Sequence, residues 1–317
     1  MSTSTMKPKA TRQAFGETLK EIAGKYPKIV VLDADLAKST KSEMFAKANP
    51  EKFFEMGIAE ANMVGTAAGL AFEGYVPFLC SFGCFVTGRY DQIRLSVGYS
   101  QAGVRIIGTH AGVGIGDDGH SQMGLEDVSL MRAIPTMAVL QPADEFETKQ
   151  MIEFLAKGDS GYKGPAYIRL TRQNMPAVHD ENYRFQFGKL DLLKAGDKVA
   201  LIGTGAGLPE ATEAVKILEQ KGLKPTLVNI HTIKPLDKDG LVKLKNHKLW
   251  VTVEDHSVIG GLGSAVAEVI ADEGLPVKLI RIGVQDEFGE SGEPVELYEK
   301  FGLTGKQIAE RIFKEGL

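Results

Sequence analysis

The chain has 317 residues, of which 43% are hydrophobic and 25% charged, and its formal net charge is -4 at pH 7. This is ordinary globular composition, and the length favours two domains over one. The charge excludes a basic surface for nucleic acid or an anionic membrane, and no apolar run approaches the roughly 20 residues of a membrane span. The polar residues 1–13 predict a short frayed tail.

Two cysteines, Cys80 and Cys84, are the only ones in the sequence. They stand close together, with no second pair and no nearby histidine, so they do not resemble a metal site. We expect small buried thiols in a reducing cytoplasm and no metal ligands on this chain.

Short apolar runs that end in polar residues alternate with helical stretches along the first half of the chain. The predicted strands lie in 28–35, 104–110, 137–144 and 165–172. The predicted helices cover 11–25, 60–73, 85–99, 125–132 and 144–157. This alternation predicts an α/β fold with a doubly wound parallel sheet, which binds ligands at the carboxyl ends of its strands. The glycine-dense loop 112–124 follows such an end and is a candidate functional loop.

The second half repeats the alternation after an irregular stretch, 176–197, which we interpret as a linker. We therefore predict two doubly wound domains, over 1–185 and 186–317, the second being smaller. The glycine turn at 202–211 has the spacing G-x-G-x-G, and no acidic residue ends a strand about 20 residues later. It favours a tight strand-to-helix turn over a dinucleotide site.

Several longer motifs occur in a characteristic order. They are "MGIAEANMVGTAAGLA", "VPFLCSFGCFVTGRYDQIR", "GTHAGVGIGDDGHSQMGLEDVSLMRAIPTM", "QPADEFET", "YIRLTRQNMP" and "EDHSVIGGLGSAVAE". Together they resemble the transketolase family over nearly the whole chain. The resemblance covers only the C-terminal portion of a transketolase, which is a thiamine-pyrimidine-binding domain followed by the transketolase C-terminal domain.

The resemblance implies thiamine diphosphate as cofactor, held through Mg²⁺ by a G-D-G motif followed by asparagine. The tripeptide Gly-Asp-Gly does not occur in this sequence. We therefore expect the Mg²⁺ and diphosphate ligands on a companion N-terminal subunit, in a complex that self-associates, with α2β2 as the expected assembly.

The resemblance also implies roles for residues of the cofactor site. Glu60, in "GIAE", matches the glutamate that bonds N1′ of the aminopyrimidine and so assists activation of the cofactor. Enclosure by Met56, Ile58 and Met63 would raise its pKa. Phe82 and Phe85 match the aromatic wall around the pyrimidine. From the residues alone, Glu60 would be interpreted as an acid at a helix N-terminus, and the two aromatic residues as plain core.

The substrate site implied by the resemblance draws on several segments. Its residues are Arg12, Ser39, His110, Asp118, His120, Gln122 and Arg172. Arg12, Ser39 and Arg172 match positions that hold the sugar phosphate, Asp118 matches one that recognises a donor hydroxyl, and His110 matches a histidine near the reacting carbonyl.

Two positions depart from the family pattern. Gln122 stands where a histidine is usual, with His120 two residues earlier, and Gly88 stands where a third aromatic is usual. These departures leave the donor's shape and terminal group open.

We therefore predict one subunit of a split transketolase, which transfers a two-carbon ketol unit between a ketose phosphate and an aldose phosphate. Two alternatives use the same cofactor chemistry: a deoxyxylulose phosphate synthase-like enzyme and a 2-oxo acid dehydrogenase beta-like subunit. A non-catalytic partner of a thiamine enzyme is a further alternative.

The predicted helix after Glu60 carries a stripe of small residues. Ala61, Gly65 and Gly69 are spaced i, i+4 and i+8, and glycine destabilises a helix interior. Close packing would offset that loss, so we predict that this stripe lies at a two-fold interface. Tight packing inside one domain is the alternative.

Overall fold

The computed structural model describes residues 7–316. Residues 1–6, which hold much of the predicted tail, lie outside the described residues. No helix in the part of the chain that is described is both long and apolar enough to cross a membrane.

The first sheet contains six strands from the first half of the chain. They are β1 (Ile29–Asp33), β2 (Phe53–Glu55), β3 (Val76–Phe82), β4 (Arg105–Thr109), β5 (Ala138–Leu140) and β6 (Ala166–Arg169). Their spatial order is β5-β6-β4-β3-β1-β2, and every pair among them is parallel. Residues of β1, β3, β4, β5 and β6 are buried throughout, as expected for a parallel sheet covered on both faces. All four predicted strand segments contain one of these strands.

The helices of the first half follow the predicted alternation. They are α1 (Thr11–Ile22), α2 (Ala37–Thr40), α3 (Glu43–Ala48), α4 (Glu60–Phe72), α5 (Gly83–Thr87), α6 (Tyr90–Gln92), α7 (Asp127–Ala133) and α8 (Glu145–Ala156). The single helix predicted over 85–99 is wrong. Gly88 caps α5, and after α6 the chain continues as a π-helix over Ile93–Tyr99.

The second sheet has the order β12-β11-β8-β9-β7. Its strands are β7 (Asp191–Lys194), β8 (Val199–Gly203), β9 (Thr226–Asn229), β11 (Leu249–Ser257) and β12 (Lys278–Val284). The helices of this half are α9 (Gly207–Gln220), α10 (Lys238–Val242), α11 (Leu262–Asp272), α12 (Pro294–Lys300) and α13 (Gly305–Phe313). The linker prediction is wrong at its end, because β7 falls inside 176–197 and pairs antiparallel with β9.

One short strand crosses from the second half to the first sheet. β10 (Thr232–Lys234) pairs antiparallel with β5 and becomes the seventh strand of that sheet. The Lys234 ammonium then donates to the carbonyl oxygens of Arg132 and Ile134, at 2.7 and 2.6 Å. The two halves are therefore joined through a shared sheet. The predicted boundary at 185/186 stays a prediction.

Candidate active site

A cavity of about 490 Å³ opens at the carboxyl edge of the first sheet. Eleven residues line it: Arg12, Leu36, Lys38, Ser39, Lys41, Phe82, Phe85, His110, Asp118, Gln122 and Arg172. Eight of them are predicted site residues, and they come together because β1, β3, β4 and β6 all end at this edge. The structure does not bring Glu60 or His120 into the lining.

His110 lies at the centre of the cavity's hydrogen-bond network. It directly follows β4 and has a φ of 58°, which is uncommon for a residue with a side chain. Its Nε2 lies 2.8 Å from Arg12 Nη1, and its Nδ1 lies 2.8 Å from Thr109 Oγ1. A guanidinium can only donate, so Nε2 accepts and the proton belongs on Nδ1. Burial, followed by the charges of Arg12 and Arg172, lowers the pKa of His110 to about 3.

The two arginines of the cavity are each anchored through one nitrogen. Arg12 Nη1 donates to Ser39 O at 2.7 Å, and Arg172 Nη1 donates to Ile115 O at 2.5 Å. Within residues 7–316, neither guanidinium forms an ion pair, and no hydrogen bond occupies Nη2 of either. Both therefore keep donors available for an anion, and a guanidinium suits phosphate geometry.

Asp33, the last residue of β1, anchors the segment Leu36–Ser42 through hydrogen bonds. Its carboxylate accepts hydrogen bonds from Leu36 N at 2.7 Å, Thr40 Oγ1 at 2.7 Å and Ser42 Oγ at 2.8 Å. The Asp33 carboxylate is fully buried, and burial raises its pKa to about 6. These three bonds fix the segment that carries Ser39 into the cavity. In the sequence, Asp33 is distinguished only by its place in the polar end of the predicted strand segment 28–35.

Aromatic rings form one wall of the cavity. Phe82 stacks on Phe85, with centroids 5.3 Å apart and an interplanar angle of 11°, and it also stacks on the His110 ring at 3.8 Å. Phe85 is only half-buried, so a face of this wall stays open. The third aromatic of the family pattern is absent at Gly88, where a Cβ would lie 3.0 Å from Cys84 O.

Glu60 begins α4 beside this edge of the sheet. It is 7% exposed, and no residue among 7–316 forms a hydrogen bond with its carboxylate. The expected enclosure is only partly right, since Met63 is fully buried but Ile58 is 82% exposed. The residue is largely buried, but its carboxylate oxygens are not among the buried polar atoms that lack a partner within residues 7–316, so they keep access to solvent. An accessible carboxylate without a protein partner is a candidate ligand-binding group. Its position at a helix N-terminus keeps the macrodipole interpretation open.

The loop 112–124 is fixed by the second half of the chain. Asp255, on β11, accepts from Val113 N at 2.8 Å and from Gly114 N at 3.3 Å. Tyr298 donates its hydroxyl to the same carboxylate at 2.9 Å. Asp118, which lines the cavity, is therefore carried by a loop that the C-terminal half positions. In the sequence, Asp255 is only one residue of the motif "EDHSVIGGLGSAVAE".

His120 faces the C-terminal half and not the cavity. Its Nδ1 accepts from Gly289 N at 3.0 Å, and its ring packs edge-on against Phe288 at 4.5 Å. Gln122, by contrast, lines the cavity. The Gln122 amide therefore takes the place of the usual family histidine in the lining. A substrate role for His120 stays a prediction.

Lys38 and Lys41 line the cavity but are absent from the sequence-predicted set. Lysines in a polar segment normally indicate only a solvated surface. The available signal was their place in "LAKSTKS", directly after the end of β1 and on either side of Ser39.

No group of three or more His, Cys, Asp or Glu side chains arranged to hold a metal ion occurs in residues 7–316. Location of the Mg²⁺ ligands on a companion subunit stays a prediction.

An apolar face lies next to the site, on α4 and the π-helix. Ala61, Gly65 and Gly69 are exposed along α4, and a Cβ built on either glycine meets nothing within 4 Å. Larger apolar side chains flank this stripe: Ile58, Phe72, Leu95 and Tyr99, which are 82, 63, 53 and 85% exposed. Tight packing of the glycines inside the described chain is therefore excluded.

Comparison with known proteins agrees with this geometry. Residues 7–178 match the model of the transketolase pyrimidine-binding domain, and residues 188–308 match that of the transketolase C-terminal domain. A protein of Methanocaldococcus jannaschii, assigned as a transketolase C-terminal section, is 47% identical over 310 residues, covering 97% of this chain and 96% of that protein. A 6-deoxy-6-sulfo-D-fructose transketolase subunit of a Clostridium species is 41% identical over 300 residues, covering 94% and 91%.

Among solved structures, a split-gene transketolase in the form of an inactive β4 tetramer superposes with a TM-score of 0.87 and 42% identity, covering 97% of this chain and 98% of that one. The predicted fold class and the predicted C-terminal subunit of a split transketolase are confirmed, and the alternative thiamine enzymes are not favoured. The chain belongs to the transketolase family, in which it corresponds to the C-terminal section.

Proposed function

We propose that this chain and a companion N-terminal subunit together catalyse thiamine diphosphate-dependent transfer of a two-carbon ketol unit from a ketose phosphate to an aldose phosphate. The convergence of eight predicted site residues on one cavity carries this proposal. Those residues come from segments as distant as Arg12 and Arg172, so their meeting is a property of the fold and not of a single motif.

The residues present fit thiamine diphosphate. Phe82 and Phe85 form a stacked wall with an open face, and the carboxylate of Glu60, a residue only 7% exposed, has no hydrogen-bond partner in residues 7–316. When bound, the cofactor supplies the nucleophilic carbon and the electron sink. The aromatic pair would pack against the pyrimidine, and the Glu60 carboxylate would hold a shared proton at N1′. Mg²⁺ and the diphosphate would be held by the companion subunit.

The other cavity residues would bind and orient the sugar. Arg12 and Arg172 offer donors to the terminal phosphate, while Ser39 adds a hydroxyl from the segment fixed by Asp33. His110 is neutral with its proton on Nδ1, so its Nε2 could accept a substrate hydroxyl if Arg12 turns toward the phosphate. Asp118, the only carboxylate in the lining, is suited to accept a hydrogen bond from a donor hydroxyl.

The apolar face of α4 and the π-helix supports assembly with further subunits. Exposed apolar patches of this kind mark interaction sites, and this face begins at Ile58, two residues before Glu60. A partner that covers it would also close off the cofactor site. The split-gene transketolase solved as an inactive β4 tetramer supports self-association of this chain. An α2β2 complex is the assembly that we propose for the active enzyme.

Calorimetry tests whether the Mg²⁺ and diphosphate ligands lie on the companion subunit. Thiamine diphosphate with Mg²⁺ is titrated into the isolated chain and into its mixture with a companion that carries G-D-G followed by asparagine. We expect strong, Mg²⁺-dependent binding by the mixture only. Micromolar Mg²⁺-dependent binding by the isolated chain would refute the proposal that the metal and diphosphate ligands lie elsewhere.

A further inference from the structure

The residues that line the cavity carry an excess of positive charge. Besides Arg12 and Arg172, Lys38 and Lys41 line it, and among residues 7–316 Asp118 is the one acid in the lining. Neither lysine forms an ion pair or a side-chain hydrogen bond with any residue among 7–316. By contrast, the nearby Lys47 is neutralised by Glu43 at 2.8 Å. Two cations without a close ion-pair partner in residues 7–316 thus border the proposed anion site, and Glu43 acts on both only at longer range.

The segment that carries these lysines is built into the fold. Asp33 accepts three hydrogen bonds from Leu36–Ser42, and Arg12 donates to the Ser39 carbonyl. Lys41 has a φ of 72°, and a Cβ on Gly16 of α1 would lie 2.6 Å from Lys41 O. Gly16 therefore lets α1 approach the Lys41 backbone closely. The positions of the two lysines are set by buried contacts, although their side chains reach solvent.

Resting on the proposed function, we propose that Lys38 and Lys41 determine specificity for the terminal group of the sugar, favouring a doubly charged phosphate over a singly charged sulfonate. A phosphate monoester carries close to two negative charges at pH 8, since its second pKa is about 6. A sulfonate carries one. Hydrogen bonds from Arg12, Arg172 and Ser39 suit both groups, because both present three oxygens. The additional charge is what distinguishes them.

The size of the effect follows from Coulomb's law. One extra ligand charge at about 6 Å from an ammonium, with an effective dielectric constant between about 40 and 80, changes affinity roughly 3- to 10-fold for each lysine. Since the interaction scales with ligand charge, removal of one lysine should lower the logarithm of kcat/KM for a phosphate about twice as much as for a sulfonate. A neutral ketose should be unaffected.

The experiment uses the chain reconstituted with its companion subunit and three donors: fructose 6-phosphate, 6-deoxy-6-sulfofructose and fructose. Lys38→Met and Lys41→Met are compared with wild type at pH 8, and Lys47→Met is the matched control, because Lys47 is outside the lining and already paired. We expect the phosphate-to-sulfonate ratio of kcat/KM to fall about 3- to 10-fold for each cavity lysine and to stay constant in the control.

A binding measurement separates this inference from the proposed function. The isolated chain is titrated at pH 8 with methyl phosphate and with methanesulfonate, followed by amide chemical shifts of Leu36–Ser42. Weaker binding of methyl phosphate in Lys41→Met, with a smaller change for methanesulfonate, supports the inference even if no donor is turned over. Equal changes for both anions, or none in either assay, would overturn it.

Discussion

Substitution of Gly65 on α4 should affect the fold and the assembly in opposite directions. Gly65 lies in the middle of a 13-residue helix, and a Cβ there meets nothing within 4 Å. Gly69, one turn later, is equally open. Within one chain, a side chain at either position has space, so helix propensity determines whether the substitution raises or lowers the free energy of unfolding. Across an interface, the same side chain would enter the space of a neighbouring subunit.

The magnitudes follow from these two environments. Glycine is about 1 kcal/mol less favourable than alanine in an exposed helix interior, so Gly65→Ala with Gly69→Ala should raise the free energy of unfolding of the dissociated chain by about 2 kcal/mol. Gly65→Leu places a bulky side chain in a closely packed contact, where overpacking costs about 1–3 kcal/mol. That cost corresponds to a dissociation constant raised roughly 5- to 150-fold.

Two measurements read these effects separately. Urea unfolding at high dilution, followed by the fluorescence of the fully buried Trp250, gives the stability of the chain. Sedimentation velocity across a concentration series gives the dissociation constant. Gly24→Leu is the control, because Gly24 is exposed in the turn after α1 and its Cβ also meets nothing. An unchanged dissociation constant for Gly65→Leu would refute the proposal that this stripe of α4 lies at a subunit interface. A lower free energy of unfolding for the double alanine variant would refute the conclusion that both glycines have free space within the chain.

Three further predictions concern the candidate active site. Glu60→Gln should leave the urea midpoint nearly unchanged but abolish proton exchange at C2 of thiamine in the complex with the companion; exchange at the wild-type rate would reduce Glu60 to a helix-terminal acid. Because its pKa is lowered to about 3, His110 should show constant ring carbon chemical shifts from pH 8 to pH 5. Its contribution to the free energy of unfolding should fall as the pH drops from about 6.5 toward 3, because in that range the unfolded chain binds the proton and the folded chain does not. A His110 titration near pH 6.5 would contradict the buried neutral tautomer. Arg172→Ala should lower kcat/KM selectively for phosphorylated ketoses, whereas Gln122→His should leave or improve it; equal losses on phosphorylated and free ketoses would show that no phosphate is bound there.

The sequence was sufficient for the features that depend on local pattern. Parallel strands that end in polar residues predicted the carboxyl edge at which Arg12, His110 and Arg172 meet. The glutamate that opens a helix of small residues predicted both the start of α4 at Glu60 and its open glycine stripe. In each case the deciding information lies within a few residues of the feature.

Features set by distant contacts were not predictable in the same way. Arg169 stands in a polar strand end, yet it is buried and paired with the buried Asp127 at 2.8 Å. The loop 112–124 is fixed by Asp255, 142 positions away from Val113. β10 is only three residues long, and nothing in its sequence shows that it pairs with β5. Such pairings follow from the fold as a whole.

The cavity lysines illustrate a different limit. Lys38 and Lys41 have the sequence environment of ordinary surface residues, and what distinguishes them is that neither forms a close ion pair with a carboxylate among residues 7–316. That absence becomes visible only when the carboxylates of residues 7–316 have positions. The same reasoning separates them from Lys47, which is paired with Glu43 on α3.

The most direct test of the account is ketol transfer by the separated and the mixed subunits. The chain, a companion carrying G-D-G followed by asparagine, and their equimolar mixture are each assayed with thiamine diphosphate, Mg²⁺, a ketose phosphate donor and an aldose phosphate acceptor. We expect transfer by the mixture and none by either subunit alone. Transfer by this chain alone, or none by a mixture shown by sedimentation to be assembled, would contradict it.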